Sequence, residues 1–190
     1  MDKIKGYIQM TGRASFALPA VAEAADSGTI VASAAISGLT AGVMTVAAQP
    51  DYPRTLRGYL TDANATITNG TLTIVGVDQN GIGISDTLTF TAAGAQTTVK
   101  AFAKVVSVTW ALVTGTVTTT SDTMSLGYGA SLGLPACNGA IYEKLVKAEF
   151  NGADDLGTLS TTYGLYAPAG TLDGAKPLEV IFNYKIPIPA

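Results

Sequence analysis

The sequence of 190 residues contains no histidine, a single cysteine and few charged residues. Without histidine, the chain lacks the commonest general base, the commonest metal ligand and every Ser-His-Asp or Cys-His arrangement. Because Cys137 is the only cysteine, no intrachain disulfide can form, and we expect its thiol to be a small buried hydrophobic group. These absences argue against hydrolytic and metal-dependent chemistry, and we predict neither enzyme activity nor a cofactor or metal.

Charged residues make up 13% of the chain, about half of the usual fraction, and the formal net charge is −3. No basic block or basic–aromatic stripe is present, which argues against direct binding of nucleic acid. No apolar run is long enough to cross a membrane, and Pro19 and Glu23 interrupt the first apolar stretch, which favours an arm or strand over a secretory signal. A chain with so little charge is poorly solubilised alone, so we expect it to work in an assembly.

Residues 71–90, TLTIVGVDQNGIGISDTLTF, show the clearest pattern, because apolar residues alternate there with threonine. A period of two buries one face of each run and leaves the other to threonine hydroxyls. Residues 78–81 tolerate the positive φ of a tight turn, and Gly83 is a candidate β-bulge. These residues also resemble the start of a calcium loop, but its downstream glutamate is missing. We therefore predict a β-hairpin.

Similar runs predict strands along most of the chain. They are residues 29–36, 43–48, 54–60, 105–113, 122–129, 144–150 and 178–186. The prolines of residues 187–190 predict that the last strand ends before them. Gly, Asn and Pro separate these predicted strands, which indicates an all-β protein, an antiparallel β-sandwich or jelly-roll-like barrel. We predict an extended N-terminal arm or edge strand in residues 1–28 and a single β-sandwich domain in residues 29–190.

Two short motifs contain residue types that act in catalysis in other proteins. Residues 129–133, GASLG, match the G-x-S-x-G elbow of esterases, which requires a general base and a strand–turn–helix context. Because histidine is absent and Pro135 follows at once, we expect a glycine-rich β-turn around Ser131. Asp154 and Asp155 are adjacent, so their side chains point apart on an extended chain, and we expect a solvated loop.

Aromatic residues leave a sugar-binding surface open as an alternative. Trp110 lies among apolar neighbours that predict burial in the core, and the tyrosines are scattered along the chain. A carbohydrate-binding or adhesin-like β module is therefore one hypothesis for the function.

Four stretches form a longer pattern that covers somewhat under half of the chain. They are Pro53-Arg54, the predicted hairpin of residues 71–90, residues 101–109 (AFAKVVSVT) and residues 132–135 (LGLP). This pattern resembles a structural protein of tailed bacteriophages, the capsid decoration or cement protein of the β-sandwich type. Residues 1–50 and 136–190 lie outside the resemblance.

The resemblance implies a virion structural protein, made in the cytoplasm of the bacterial host and placed on the capsid exterior. Such a protein binds the outer surface of the phage head and bridges subunits of the major capsid protein, which stabilises the shell. It also implies a homo-oligomer, with a homotrimer favoured. A phage tail or head–tail structural protein is the main rival within this class.

Both ends of the chain carry apolar residues without a clean period, and we expect them to contact a neighbouring subunit or the capsid. These candidate interface residues are Ile4, Tyr7, Phe16, Leu18, Ile186 and Ile188.

Overall fold

The computed structural model describes residues 8–18, 22–36, 41–117, 121–135 and 141–188, and their regular structure consists of β-strands alone. The strands are β1 (Ile8–Leu18), β2 (Val31–Ala35), β3 (Ala41–Met44), β4 (Arg54–Thr61), β5 (Ile67–Val77), β6 (Gly83–Phe90), β7 (Gly94–Thr97), β8 (Lys104–Gly115), β9 (Thr123–Gly133), β10 (Ile141–Phe150), β11 (Ala153–Asp154), β12 (Thr158–Ser160), β13 (Leu165–Ala167) and β14 (Leu178–Ile188). Within these ranges, no helix is long and apolar enough to cross a membrane.

The strands form three antiparallel sheets. Sheet A has the order β1-β14-β10-β11, and sheet C has the order β3-β8-β5-β6. Sheet B has the order β12-β13-β9-β4-β7, with β2 also paired to β9. The prediction of an all-β antiparallel fold of the sandwich or barrel type is confirmed.

A first hydrophobic core fills the space between sheets B and C. Inward-facing residues of both sheets form it, with Trp110 and Phe90 among the largest side chains. Its other buried members are Ile30, Val31, Ile36, Met44, Leu56, Leu60, Ile67, Leu72, Ile74, Leu88, Phe102, Val105, Val108, Met124, Leu126 and Tyr128. The burial predicted for Trp110 is confirmed, since the side chain is 1% exposed.

The predicted hairpin is formed by β5 and β6. Its turn is closed by a hydrogen bond of 3.0 Å from the Gly81 amide to the Asp78 carbonyl, and the Asp78 carboxylate accepts the amide protons of Asn80 and Ile82. The pairing runs from Gly70–Phe90 to Val77–Gly83 without a shift. The predicted β-bulge at Gly83 is therefore wrong, because Gly83 pairs regularly with Val77 and residues 78–82 form the turn.

A second hydrophobic core lies between sheet A and the end of sheet B that carries β12 and β13. Its fully buried side chains include Tyr166, Val180 and Phe182. Val180, Phe182 and Tyr184 share one face of β14, as their alternation predicts. Sheet A therefore covers the second core and contains strands from both ends of the described chain, β1 and β14.

The last strand continues through a proline that we expected to end it. Pro187 lies opposite Gln9 of β1, and β14 runs on to Ile188. On the other side of β14, the pairing with β10 stops at Lys185. Among the described residues, β14 therefore has a paired neighbour on one side only at Pro187, which is the edge setting where sheets tolerate proline.

Candidate interaction surface

Most of the outward face of sheet C is uncharged, and we call this part the threonine face. Lys104, which lies opposite Val77 at one end of the sheet, is the charged exception. The inward neighbours of the threonine face, such as Leu72 and Trp110, belong to the first core, so alternation sends the next residues outward. The threonine face consists of Ala41, Val43, Thr71, Thr73, Val75, Ser85, Thr87, Thr89, Ser107, Thr109, Ala111 and Val113.

Strand pairing arranges these side chains in rows across the sheet. One row runs Val43–Thr109–Thr73–Thr87, where each residue lies opposite the next on the neighbouring strand. The hydroxyls of Thr73 and Thr87 lie 3.2 Å apart and form a hydrogen bond. The apolar members are strongly exposed, with Val43 at 80% and Val113 at 58%.

The other two sheets do not offer a comparable outward face. Sheet A carries ion pairs there, between Lys147 and Glu149 and between Lys185 and Glu143. On sheet B, the segment that precedes β2 lies on β9, where the Asp26 carboxylate accepts the amide proton of Tyr128 at 3.2 Å. Among the described surfaces, the threonine face therefore combines exposure with absence of charge.

The physical properties of the threonine face suit contact with another protein. Four strands about 4.8 Å apart and about 20 Å long give an area of roughly 400 Å², about half of a standard interface on one partner. Threonine and valine are stiff at χ1, so little side-chain entropy is lost when they are covered. No charge has to be removed from water, and free hydroxyls can bond a partner.

An apolar cavity of about 300 Å³ lies between β2 and β3, at one side of the first core. Val31, Ile36, Met44 and Trp110 contribute to its lining, and the indole Nε1 of Trp110 has no hydrogen-bond partner among the residues that the structure describes. Residues 37–40, which join these two strands, are outside the described part of the chain. No charged side chain lines the cavity.

Buried Arg54 joins three parts of the chain. The guanidinium donates from Nη1 to the Asp51 carboxylate, from Nε and Nη2 to the Gly129 carbonyl, and from Nη2 to the Glu23 carbonyl. It also lies 4.9 Å from the ring centroid of Tyr128. Because Arg54 is 0% exposed and its donors are occupied by the chain itself, its position indicates a structural role.

Asp26 holds the segment before β2 in place. Its carboxylate accepts the amide protons of Gly28 at 2.9 Å and Thr29 at 3.2 Å, as well as that of Tyr128 and the hydroxyl proton of Thr29. Burial raises the pKa of Asp26, but these hydrogen bonds lower it by more. The pKa therefore lies below the ordinary value of 3.8.

The two short motifs lie in places that we did not predict. Ser131 is inside β9, where its amide bonds the Thr55 hydroxyl at 3.2 Å, so the expected β-turn is wrong. Glycines of this motif let β9 approach β4 closely, since a Cβ at Gly129 would meet Thr55. Of the adjacent pair, Asp154 is exposed as expected, but Asp155 is 8% exposed rather than solvated, and it accepts the Tyr166 hydroxyl proton at 2.7 Å.

Burial and the Asp155 carboxylate raise the pKa of Tyr166, which stays protonated as the donor of this bond. Among the described residues, no three His, Cys, Asp or Glu side chains form a group that could hold a metal ion. Of the tyrosines, Tyr163 and Tyr59 are the most exposed among those described, at 46% and 39%.

The six candidate interface residues fall into two groups. Ile4 and Tyr7, like Cys137, lie outside the described residues. Phe16 and Leu18 are on β1, and Ile186 and Ile188 are on the paired strand β14. Phe16 packs partly buried on the second core, and Ile186 is half-buried. The structure thus brings four of the six onto one pair of strands, and their role at an interface stays a prediction.

The threonine face was not among our candidate sites. Alternation in residues 71–90 predicts exposed threonines, but their neighbours on β3 and β8 follow from the strand order, which the sequence pattern does not reveal.

Comparisons with protein-family models, with curated proteins and with solved structures found no match to this chain.

Proposed function

We propose that this chain is a virion structural protein that decorates the outer surface of a tailed-phage head. In this role, the threonine face lies against the major capsid protein and the bound chain bridges neighbouring subunits. The pattern of Pro53-Arg54, the hairpin and the LGLP stretch supports the class of protein. The single observation that carries the proposal is the broad and exposed threonine face of sheet C, whose residues are uncharged and which has Lys104 at one end.

The properties of this face fit a cement function. A decoration protein has to add binding free energy at many equivalent places on a shell, and it needs contact area for this rather than a reacting group. The exposed valines supply apolar area at about 25 cal/mol per Å², while the threonine hydroxyls can bond a partner's polar groups. Repetition of the same contact over the shell then multiplies a modest gain.

Reconstitution of shells tests the proposal. Shells assembled without this chain are mixed with the purified protein and sedimented, and cryo-EM locates the added density. We expect saturable binding to the outside of the shell. Binding to the tail or the head–tail junction would contradict a capsid role. Binding to glycans without any binding to shells would contradict it as well.

Two matched lysine variants test the face itself. Thr109→Lys places a charge between Val43 and Thr73 in the middle of the threonine face, and Tyr59→Lys places one on the outward side of sheet B. We expect Thr109→Lys to weaken shell binding at least tenfold and Tyr59→Lys to leave it unchanged. Equal binding by both variants would mean that the threonine face is not the contact.

A further inference from the structure

The free edge of β1 differs from every other strand edge in the described part of the chain. β1 pairs over eleven residues with β14, and none of the other described strands lies on its other side. The pairing has no register shift, the strand contains no proline, and Arg13 is its only charged residue. Long, regular edges of this kind readily accept another strand, so soluble proteins usually protect them.

The other edges show such protection. β10, on the opposite side of sheet A, has two register shifts and the charged residues Glu143, Lys144 and Lys147. The edge of β6 is contacted by the segment after β7, whose Lys100 ammonium donates to the Ser85 carbonyl at 2.8 Å. Strands β3, β7 and β12 have four residues or fewer, and β2 has five with a shift in its pairing. An unprotected edge on β1 alone indicates a regular partner there.

We propose that β1 pairs with β1 of a second copy of this chain, antiparallel and around a two-fold axis at Ala14. Sheet A then continues from one subunit into the other. Two-fold symmetry requires each residue to face one on the same side of the sheet, which fixes the register to a few choices. An axis at Arg13 would set two arginines against each other, which is unfavourable for like charges.

An axis at Ala14 avoids this repulsion and improves the packing of the second core. Arg13 then faces Ser15 of the partner subunit, and Gly12 faces Phe16 of the partner subunit. The ring of Tyr184 lies over Gly12, because a Cβ there would be only 2.5 Å from the ring carbon Cζ. Phe16, which one chain leaves partly buried, therefore meets the Tyr184 ring across the axis.

This pairing goes beyond the proposed capsid role and does not depend on it, since β1 lies on sheet A and the threonine face on sheet C. It also specifies a two-fold dimer, whereas the resemblance favours a trimer. The two assemblies differ in mass and in which residues meet at the axis.

Cysteine cross-linking tests the axis directly. In a Cys137→Ala background, Ala14→Cys places two thiols opposite each other, within the Cα distance that a disulfide needs. Ala17→Cys is the matched control, because its two thiols would be about 20 Å apart. We expect a reducible dimer from Ala14→Cys only, in dilute solution. Absence of the dimer, or equal cross-linking of both variants, overturns the proposal.

The unmodified chain and two charge variants provide a second measurement that needs no new cysteine. Sedimentation should give twice the chain mass of 19.3 kDa, and a trimer or a stable monomer would overturn the proposal. Ser15→Glu faces Arg13 of the partner subunit and should tighten the dimer roughly fivefold, while Ser15→Arg should weaken it by a similar factor. Equal dimer affinities for both variants would also contradict this register.

Discussion

The hydroxyl oxygens of Thr73 and Thr87 lie 3.2 Å apart on neighbouring strands, and the next pair along the strands, Leu72 and Leu88, is buried on the opposite face of the sheet. One step along the strand thus separates the threonine face from the first core. Because of this alternation, residues of the threonine face can be replaced without disturbing the first core. Substitutions at successive positions therefore test the register of the hairpin.

Lysine at two successive positions of β6 should have opposite consequences. Thr87→Lys adds an exposed charge and should change the free energy of unfolding by less than about 1 kcal/mol. Leu88→Lys buries a charge at a position that is 4% exposed and should cost more than about 4 kcal/mol. Urea unfolding followed by circular dichroism measures both. Similar losses for the two variants would show that the register is wrong.

Removal of the buried Arg54 charge should strongly destabilise the fold. Arg54→Met leaves the Asp51 carboxylate, whose side chain is 17% exposed, without its ion-pair partner. Loss of one partner from a buried pair costs about 3–5 kcal/mol, and Arg54→Lys should fall in between because lysine keeps the charge but not the fork of donors. Chemical unfolding measures the free energy of unfolding of the unmodified chain, of Arg54→Met and of Arg54→Lys.

Arg57→Met is the matched control for this prediction. Arg57 lies on the same strand but is only half-buried, so its replacement should cost less than about 1 kcal/mol. Equal losses at Arg54 and Arg57 would argue against a special role of the buried network.

The sequence predicts the strands of the sandwich well because their alternation is regular and their turns carry strong signals. The hairpin of β5 and β6, with its turn at Asp78, shows this, since each local preference agrees with the tertiary structure. Pro187 shows the opposite case. Its local rule predicts the end of a strand, but β14 stays paired with β1 through Pro187, which only the sheet order reveals.

The sites were harder to predict, because their geometry joins residues far apart in the chain. Arg54 bonds the carbonyls of Glu23 and Gly129, and no local pattern relates these three positions. On β1, Gly12 and Ala14 face the second core with little side chain, and the ring of Tyr184 fills the space instead. The period of an amphipathic strand is therefore absent from that segment.

Stability should fall in acid partly through Asp26. Its pKa is lower in the folded chain than the ordinary 3.8, so the unfolded chain takes up the proton first as pH falls. The contribution of Asp26 is thus fully present above this ordinary value and is lost as pH drops through the folded pKa. Asp26→Asn should be less stable than the unmodified chain at pH 6, with a difference that shrinks towards pH 2.

Unfolding in urea at several pH values measures this dependence, and Thr29→Ala refines it. That variant keeps the carboxylate but removes the hydroxyl donor, so its acid sensitivity should lie between those of the unmodified chain and Asp26→Asn. A difference between the unmodified chain and Asp26→Asn that stays constant with pH would contradict the assignment.

Gly70 should be intolerant of any side chain, because the indole ring of Trp110 lies against its backbone. A Cβ at Gly70 would overlap the ring atoms Cη2 and Cζ3, and the ring is 1% exposed and enclosed by the first core. Gly70→Ala therefore forces the ring or β5 to move, and overpacking of this kind costs about 1–3 kcal/mol. Thermal and urea unfolding both report the loss.

The control and the rescue separate this clash from a general intolerance of alanine. Gly83→Ala on β6 meets no neighbouring atom and should leave stability nearly unchanged. Trp110→Phe removes the part of the ring that reaches Gly70, so the double variant should be less destabilised than the sum of the two single changes. Additive losses would show that the indole ring does not occupy the space above Gly70, and the packing at this end of the core would then have to be different.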